Sequence, residues 1–537
     1  MPSHIVWIVL EDASPRLGCY GDDIARTPHI DRLADQGRRF SRMFSTTGTC
    51  APSRASLVTG LMPQSLGAHH MRTDTHDVDG LPKSYQCVPP HYVTAVPELL
   101  RHAGYYCTLD VKTDYQFGEP FTMWDAHGPG VGWWDEAREP DQPFFAMMTN
   151  AVTHESGMWD PADEWPDQEG GRIDDPVTDS EAVDVPPYLV DTPATRTAIA
   201  RQYDNIARLD DWVGELLHRL ERDGYTDNTV VILVGDHGEG LPRKKRWPFD
   251  SGTHVPLLIK WPGVTEGGVS DRLVSGIDIG PTTLSIADRT PPRYMEGRVC
   301  IGDAAEPRRE VLVTTRDRID ESYDMVRSVR DDRFRYVRYE YPECPFIQHV
   351  PYRDRHPAMR AVHRALATGD ITSSSHPWVA EDRPSEALYD LTEDPHEIRN
   401  LASDPGYQKP LERLRAALEE WRRSVGEQQW GNASEQQMRD RMWPDGRAPR
   451  TASPQVVIYG PKGTRRRLER GDPIEGPTRM GLYCATQGAS LSWSIDRGPW
   501  KIFSGPRRVE HSVHVRARSV RYGFQPSEEI SRTIEFG

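Results

Sequence analysis

The sequence predicts an α/β protein built on a large sheet flanked by helices, followed by a smaller α+β subdomain and an appended β-sandwich. In the first 300 residues or so, apolar runs of strand length alternate with amphipathic segments of helix length. Beyond this region the alternation gives way to short strand-like runs, and the last stretch has strand-like runs without a helical stripe. Three successive patterns therefore indicate three structural units.

The first unit, residues 1–305, is predicted as an α/β domain. His4–Leu10 is an apolar run of strand length, and Thr27–Arg38 is the first amphipathic segment. A long helix with one apolar stripe is predicted over Ala194–Asp223, and a second buried strand follows at Thr229–Val234. Strands that are apolar on both faces and alternate with helices form sheets covered on both sides, and ligands bind beyond the carboxyl ends of such strands.

The remaining chain is predicted as an α+β subdomain over 306–430, a linker over 431–454 and a β-sandwich over 455–537. The linker assignment rests on a polar composition rich in Gln, Arg, Pro and Gly. In the subdomain, the strand-like runs are Glu310–Thr314, Phe334–Arg338 and Ala387–Leu391, followed by a helix striped by Leu411, Leu414, Leu418, Trp421 and Val425. In the sandwich, they are Gln455–Tyr459, Leu491–Ile495, Ser512–Arg521 and Thr533–Phe536.

Composition restricts the function classes. The 537 residues include 65 Lys and Arg against 81 Asp and Glu, a net charge of −16. An acidic chain is a poor candidate for binding nucleic acid or an anionic membrane surface, and no apolar run approaches the ~20 residues of a spanning helix. Seven scattered cysteines without C-x-x-C spacing argue against a disulfide scaffold and a Cys-rich zinc site.

The amino terminus reads as the first strand. Met1-Pro2-Ser3-His4 leads directly into the apolar run, without a basic segment or a small-residue cleavage site. The default expectation is therefore a cytoplasmic protein. A periplasmic or secreted location would follow if a signal had been trimmed from the sequence.

The segment Cys50-Ala51-Pro52-Ser53-Arg54, followed by Thr59-Gly60, is the strongest chemical motif. A cysteine before Pro-Ser-Arg at a helix start lies in the field of the helix amino terminus, which favours an anion. Such a cysteine is either a low-pKa thiolate nucleophile or a structural residue beside a capping serine.

Acidic residues follow two predicted strands. Glu11-Asp12 closes the first strand, and Asp236-His237 follows the strand at Thr229–Val234. Taken singly, each pair would more often be a solvated turn. Together they would bring oxygen ligands to one edge of the sheet, as a hard divalent cation requires.

The cysteine motif resembles the signature of the type I sulfatases, Cys-x-Pro-Ser-Arg followed by x4-Thr-Gly. Arg26–Ala34 and Leu388–Glu397 are similar to two further segments of that family, so that the resemblance spans residues 4 to about 425. The resemblance implies the alkaline phosphatase-like fold, with a large central mixed sheet flanked by helices. It also implies that Cys50 is oxidised after translation to formylglycine.

The resemblance further implies a divalent cation, Ca²⁺ in preference to Mg²⁺. Its expected ligands are Glu11, Asp12, Asp236 and His237. The sequence departs from the family here, since the family usually has Asp-Asp in place of Glu11-Asp12 and often Asn in place of His237.

The catalytic residues that the resemblance implies are Cys50, Arg54, Lys112, His154 and Lys245. Lys112 and Lys245 would bind the sulfate, and His154 would donate a hydrogen bond or proton to the leaving atom. Lys244 is a close competitor for the position of Lys245. Asp114 stands where the family usually has His.

The substrate is suggested by local similarity alone. Gly67–Arg72 and Asp250–Pro256 resemble the bacterial branch related to N-sulfoglucosamine sulfohydrolase, the heparan N-sulfatase. We therefore expect hydrolysis of a sulfamate or sulfate ester on a glucosamine-containing, heparan-type glycan. The expected substrate-binding residues are His69, His70, Arg72, Asp114, His254 and Arg318.

Three alternatives stay open: a sugar 6-O- or aryl-sulfate ester hydrolase, a phosphonate or phosphodiester hydrolase of the same superfamily, and a non-catalytic glycan-binding protein. The expected partners are a sulfated saccharide and a formylglycine-generating or anaerobic sulfatase-maturating enzyme. No nucleic acid or membrane is expected, and a homodimer is left open.

Overall fold

The structure is a computed structural model that describes residues 4–71, 84–160, 173–264, 267–425, 433–460, 464–469, 473–474 and 476–536. Arg72, one of the predicted substrate-binding residues, lies outside the described residues. Within these ranges, no helix is both long and apolar enough to cross a bilayer.

In the described ranges, nine strands form one mixed central sheet, which confirms the predicted α/β fold class. The strands are β1 (His4–Leu10), β2 (Arg38–Phe44), β3 (Tyr106–Leu109), β4 (Ala126–His127), β5 (Phe144–Asn150), β6 (Thr229–Gly235), β7 (His254–Lys260), β8 (Gly268–Ser270) and β9 (Val274–Ser275). Their order is β4-β3-β5-β1-β6-β7-β2-β8, and β9 pairs with β2. The helices of this unit are α1 (Pro28–Gln36), α2 (Cys50–Thr59), α3 (Pro63–Leu66), α4 (Val96–His102), α5 (Pro193–Arg222), α6 (Asp250–Thr253) and α7 (Ile279–Ile286).

The centre of the sheet is parallel. β1 pairs in parallel with both β5 and β6, so that Leu10 lies opposite Asn150 and Gly235. β3 runs parallel to β5 on the other side. The segments that follow β1, β3, β5 and β6 therefore leave the sheet at the same edge, which is where ligands of such sheets bind.

Helices cover both faces of the sheet. Val6 and Ile8 of β1 belong to the apolar cluster that includes α1 and α5. Ile5, Trp7 and Val9 point the other way, into the cluster that includes α2, α4 and α7. Since successive side chains of a strand alternate between faces, an apolar run such as β1 is stable only between two helical layers.

The second unit is a four-stranded antiparallel sheet, counted over the described residues, with two helices. Its elements are β10 (Leu312–Arg316), β11 (Val326–Arg330), β12 (Phe334–Tyr339), α8 (Pro357–Thr368), β13 (Glu386–Asp390) and α9 (Gln408–Ser424). The predicted apolar stripe of α9 packs on this sheet through Leu411, Leu414 and Leu418.

The last unit contains two sheets that share one apolar core, in agreement with the predicted β-sandwich. Its strands are β14 (Gln455–Tyr459), β15 (Arg465–Arg467), β16 (Pro473–Ile474), β17 (Thr478–Tyr483), β18 (Ser490–Ile495), β19 (Lys501–Ile502), β20 (Arg507–Val509), β21 (Val513–Val520) and β22 (Ile530–Phe536). One sheet has the order β15-β14-β17-β20, and the other has the order β16-β22-β21-β18-β19.

The predicted linker includes a helix, α10 (Glu435–Met442). Met438 and Met442 of α10 are buried in the large core cluster of the first unit, together with Tyr85. The segment therefore packs on the first unit in addition to connecting two parts of the chain. The boundaries of the units stay predictions.

Candidate active site

Four acidic and imidazole side chains converge at the carboxyl edge of the central sheet. Glu11 and Asp12 follow β1, Asp236 and His237 follow β6, and all four are fully buried. Asp12 has a φ of 46°, and its backbone N–H donates to Asp236 Oδ1 at 3.1 Å. A non-glycine residue in this left-handed region indicates local strain, which proteins concentrate at functional sites.

Cys50 lies against this group. It is the first residue of α2, and its Sγ lies 3.0 Å from His237 Nε2 and 3.4 Å from Glu11 Oε1. Burial raises the pKa of the Cys50 thiol well above its usual value, although Lys245 and Lys112 act in the opposite direction. The unmodified thiol is therefore protonated near neutral pH, and the low-pKa thiolate considered from the sequence alone is not supported.

Three cations face the carboxylates. Arg54 donates from Nε to Asp236 Oδ2 at 3.0 Å and pairs with Glu11 through its terminal nitrogen. Lys112 Nζ pairs with Glu11 Oε1, and Lys245 Nζ lies 2.8 Å from Asp12 Oδ2. Cationic side chains from α2 and from the segments after β3 and β6 thus surround a space beside Cys50, an arrangement that suits an anionic substrate group.

The carboxylates compete for these cations. Burial opposes ionisation of Glu11, but Lys112 and Arg54 outweigh it and hold the Glu11 pKa well below its usual value. Burial and the nearby Glu11 charge instead raise the pKa of Asp236 to about 6. The nearby cations therefore do not fully neutralise the two carboxylates of Glu11 and Asp236. This imbalance favours the binding of an additional cation between them.

The donor chemistry of this group fits a divalent metal. His237 Nδ1 lies 2.8 Å from the Gly238 carbonyl oxygen, so it carries the proton that it donates. Its Nε2 lies 3.2 Å from Asp12 Oδ1 and 3.0 Å from Cys50 Sγ, so this ring nitrogen and the Asp12 carboxylate are close enough to bind one ion together. Glu11, Asp12, Asp236 and His237 would supply hard oxygen donors and one imidazole nitrogen.

His154 lies beside the carboxylates in a defined tautomer. Its Nδ1 lies 2.9 Å from Ser156 Oγ and accepts from the Ser156 backbone N–H at 3.5 Å. Burial and the neighbouring Lys245 lower the pKa of His154 to about 4, so the ring is neutral near neutral pH. A neutral ring that accepts at Nδ1 carries its proton on Nε2, and this N–H can donate a hydrogen bond to a ligand.

The structure distinguishes the two adjacent lysines. Lys244 pairs with Glu239, whereas Lys245 contacts Asp12 and also lies 2.9 Å from Glu155 Oε1. Arg246 holds Glu155 through two contacts of 2.7 and 2.9 Å. The sequence does not single out Glu155, because nothing in the residues around it indicates that it pairs with Lys245 and Arg246, about 90 residues later in the chain.

Replacing Glu155 with glutamine is expected to destabilise the protein and to lower turnover. The neutral side chain would leave Lys245 and Arg246 buried without their shared counterion, a loss of about 3 kcal/mol in the free energy of unfolding. Urea unfolding and kcat measure the two effects. Glu136→Gln, at an exposed position, is the matched control, and equal stability of the two variants would contradict the role of Glu155.

The predicted substrate-binding residues fall into different places. Asp114 Oδ2 lies 3.9 Å from Nζ of Lys112, one of the three cations that surround Cys50. His69 and His70 are buried and form a second group with Asp317, and burial lowers the pKa of both rings. The chain continues to Met71, whose backbone N–H donates to the Arg318 carbonyl at 2.8 Å.

The segments of Met71 and Arg318 adjoin the nucleophile position. Met71 and Ile319 form a small apolar cluster with Cys50 and Ala51, so both segments pack against the start of α2. The Arg318 side chain itself pairs with Glu435 of α10 and donates from Nε to the Asp320 carbonyl at 2.6 Å.

His254 is placed in the sheet. It opens β7, its Nε2 lies 2.9 Å from the Ser41 carbonyl oxygen, and its ring stacks on Phe44 at 5.0 Å. These contacts hold the ring between β7 and β2. The assignment of His69, His70, Asp114, His254 and Arg318 to substrate binding stays a prediction.

Comparison with known proteins agrees with the chemistry of this site. The sulfatase family model matches residues 3–131 and 130–289, and a model described as N-sulphoglucosamine sulphohydrolase, C-terminal, matches residues 238–344. Together these matches cover more than half of the chain.

Two curated relatives and one solved structure extend this finding. An ulvan-active sulfatase of Formosa agariphila is 34% identical over 98% of this chain and 90% of its own length. Human N-sulphoglucosamine sulphohydrolase is 28% identical over 78% of this chain and 90% of its own length. A solved 2-O glycosaminoglycan sulfatase has a TM-score of 0.57 at 18% identity, covering 82% of this chain and 96% of that one, which shows a shared fold.

Proposed function

The chain belongs to the sulfatase family of sulfuric ester hydrolases, and on that premise we propose that its substrate is a sulfated glycan. The observation that carries the sulfate part of the proposal is the position of Cys50 at the start of α2, where carboxylates, His237 and three cations surround it. The glycan part is supported by the ulvan-active relative. The family implies formylglycine and a metal, and the buried Glu11, Cys50, Asp236 and His237 group fits both.

The finer substrate assignment is a sulfamate or sulfate ester on a glucosamine-containing, heparan-type saccharide. The match to the N-sulphoglucosamine sulphohydrolase model supports this assignment, because its residues 238–344 include Lys245 and the Arg318 segment beside Cys50. A second candidate is a sulfate ester of ulvan. It is supported by the ulvan-active relative, whose similarity covers 98% of the chain and therefore includes the β-sandwich.

When present, hydrated formylglycine at position 50 would supply one hydroxyl that attacks sulfur and a second hydroxyl on the same carbon that expels the sulfate, and a divalent cation, Ca²⁺ in this proposal, would polarise the sulfate oxygens. The residues that would hold the cation are Glu11, Asp12, Asp236 and His237. The amino terminus of α2 directs backbone N–H groups toward the same space and favours negative charge there.

The cations and His154 perform the remaining chemistry. Arg54, Lys112 and Lys245 neutralise the non-bridging oxygens of the substrate, and each such interaction contributes about 3–4 kcal/mol to lowering the barrier. His154, which is neutral near neutral pH, donates a hydrogen bond from Nε2 to the leaving oxygen or nitrogen. Because all of these groups are buried, water competes weakly with them for the sulfate.

A substrate panel tests the proposal. Matured enzyme is incubated with N-sulfoglucosamine, glucosamine 6-sulfate, ulvan oligosaccharides, 4-nitrophenyl sulfate, 4-nitrophenyl phosphate and a phosphonate ester. The sulfate, phosphate or phosphonate that each substrate releases is measured by ion chromatography. We expect sulfate release from a saccharide with a kcat/KM above that of the aryl ester. N-sulfoglucosamine as the best substrate supports the heparan-type assignment, and ulvan oligosaccharides as the best substrate support the second candidate. Faster turnover of the phosphonate ester than of every sulfate would contradict a sulfatase.

A further inference from the structure

A groove of about 770 Å³ lies between the β-sandwich and the first unit. We call it the junction groove and define it by Phe121 and Trp124 of the first unit and by Trp500, Lys501, Arg507 and Arg518 of the sandwich, all of which line it. Aromatic and cationic side chains thus come from both units, and the groove exists only where the two meet.

The two walls of the groove are held together by buried contacts. Tyr522 belongs to the core cluster of the first unit, where its hydroxyl accepts from the Ala95 N–H at 3.1 Å and donates to Glu98 at 3.0 Å. The next residue, Gly523, has a φ of 75°, and a Cβ there would lie 2.5 Å from the Cys87 carbonyl oxygen. Such close approach leaves no room for a side chain at position 523, so the sandwich packs tightly against the first unit beside the groove.

The aromatic part of the groove is organised by an arginine. The guanidinium of Arg518 lies 3.9 Å from the centre of the Phe121 ring and 4.4 Å from that of Trp500, and Arg516 lies 4.9 Å from the same Trp500 ring. Arg518 Nε is buried and has no hydrogen-bond partner among the described residues. Stacked cations and rings of this kind bind anionic sugars through both charge and flat apolar contact.

The side chains that line the groove include more cations than carboxylates, whereas the whole chain has a net negative charge. Four cations and two carboxylates line the groove; Arg101 is paired with Asp125 at 2.7 Å, and the second carboxylate is Glu139. In the described part of the chain, Lys501, Arg507 and Arg518 have no carboxylate within the 4 Å of an ion pair. On a protein with a net charge of −16, three unpaired cations on one wall select an anionic ligand.

The groove is remote from the catalytic group. Gln142 lines the groove just before β5 begins, whereas His154 follows the end of that strand. The seven residues of β5 span about 23 Å, so the two places lie at opposite edges of the sheet. A ligand in the groove is therefore distant from the sulfate that reacts.

We propose that the junction groove binds a sulfated polysaccharide, through its sulfates at the three cations and its sugar faces at Trp500 and Phe121, and so holds the enzyme on a polymeric substrate. The class of ligand rests on the proposed function. Hydroxyl and amide groups such as those of Ser504 and Gln142 also line the groove and suit sugar hydroxyls.

Binding measured without turnover tests the groove. The full chain carrying Cys50→Ala is run in native affinity gels that contain ulvan, heparin, unsulfated dextran or poly(dT). We expect retardation by a sulfated polymer only, and about tenfold weaker binding after Lys501→Gln/Arg507→Gln or after Trp500→Ala. Arg465→Gln/Arg466→Gln is the matched control, because it removes the same charge from exposed positions of β15 outside the groove.

The outcomes separate this proposal from the proposed function. Three outcomes would each contradict polysaccharide binding by the groove. They are an equal loss of binding in the control pair, an unchanged affinity in the groove variants, and equal retardation by poly(dT). In matured enzyme, the groove variants should raise KM for the polymer and leave kcat unchanged. A chain that binds ulvan or heparin through the groove but releases no sulfate would contradict the proposed function. It would still support polysaccharide binding in the groove.

Discussion

Replacing Cys50 with serine is expected to abolish multiple turnover and to leave the fold intact. Serine is nearly isosteric with cysteine, and its hydroxyl would occupy the start of α2 beside His237 and Glu11. That single hydroxyl can attack sulfur once, but it has no second hydroxyl on the same carbon to expel the sulfate. We expect a burst of at most about one sulfate per active site, followed by a rate reduced by several orders of magnitude.

The measurement pairs burst kinetics with mass spectrometry. Wild-type chain and Cys50→Ser are produced in a host whose maturation enzyme accepts cysteine only, and the tryptic peptide Met43–Arg54 is weighed in each. The wild-type peptide should carry the thiol-to-aldehyde mass loss, and the serine peptide should be unmodified. Cys484→Ser, a free cysteine of the β-sandwich, is the control and should turn over normally. Sustained turnover by an unmodified Cys50→Ser chain would overturn the formylglycine mechanism.

Much of the fold could be predicted, because a strand that is buried on both faces appears in the sequence as an uninterrupted apolar run. His4–Leu10 was predicted and observed with identical bounds, since each of its side chains has a helical layer to pack against. The strand Val326–Arg330 was missed because Arg327 and Arg330 interrupt its apolar pattern. Both are buried in the structure, where Arg327 pairs with Asp317 and Arg330 with Asp250.

The candidate site was predictable only where a motif or a strand end marks it. Parallel strands bring their carboxyl ends together, so Glu11 and Asp236 could be expected to meet although 225 residues separate them. The choice between Lys244 and Lys245 depended on which side chain turns toward Asp12 and which toward Glu239. Neighbours in a non-regular segment carry no periodicity, so that choice required the structure.

Chelation of the metal is expected to remove the activity of the wild-type chain. The Asp12→Asn substitution is expected to weaken metal binding by one to two orders of magnitude. Asp12 lies between His237 Nε2 and Lys245 Nζ, so the substitution removes a hard oxygen ligand and leaves the buried lysine with Glu155 alone. Loss of this electrostatic group should lower kcat by about 10²–10³-fold. EDTA treatment followed by titration with Ca²⁺ or Mg²⁺ measures both the affinity and the recovered activity.

The recovery should favour Ca²⁺. Glu11, Asp12 and Asp236 are fully buried and offer several oxygens in one cluster, which suits a large ion of flexible coordination, whereas Mg²⁺ retains water and needs a nearly octahedral site. Because the ion would bind the folded chain only, Ca²⁺ should also raise the thermal midpoint, a readout independent of formylglycine. Asp227→Asn, at an exposed position, is the control and should behave as the wild type. Full activity in EDTA, or an Asp12→Asn chain with unchanged Ca²⁺ affinity, would show that these carboxylates serve only as counterions for Arg54, Lys112 and Lys245.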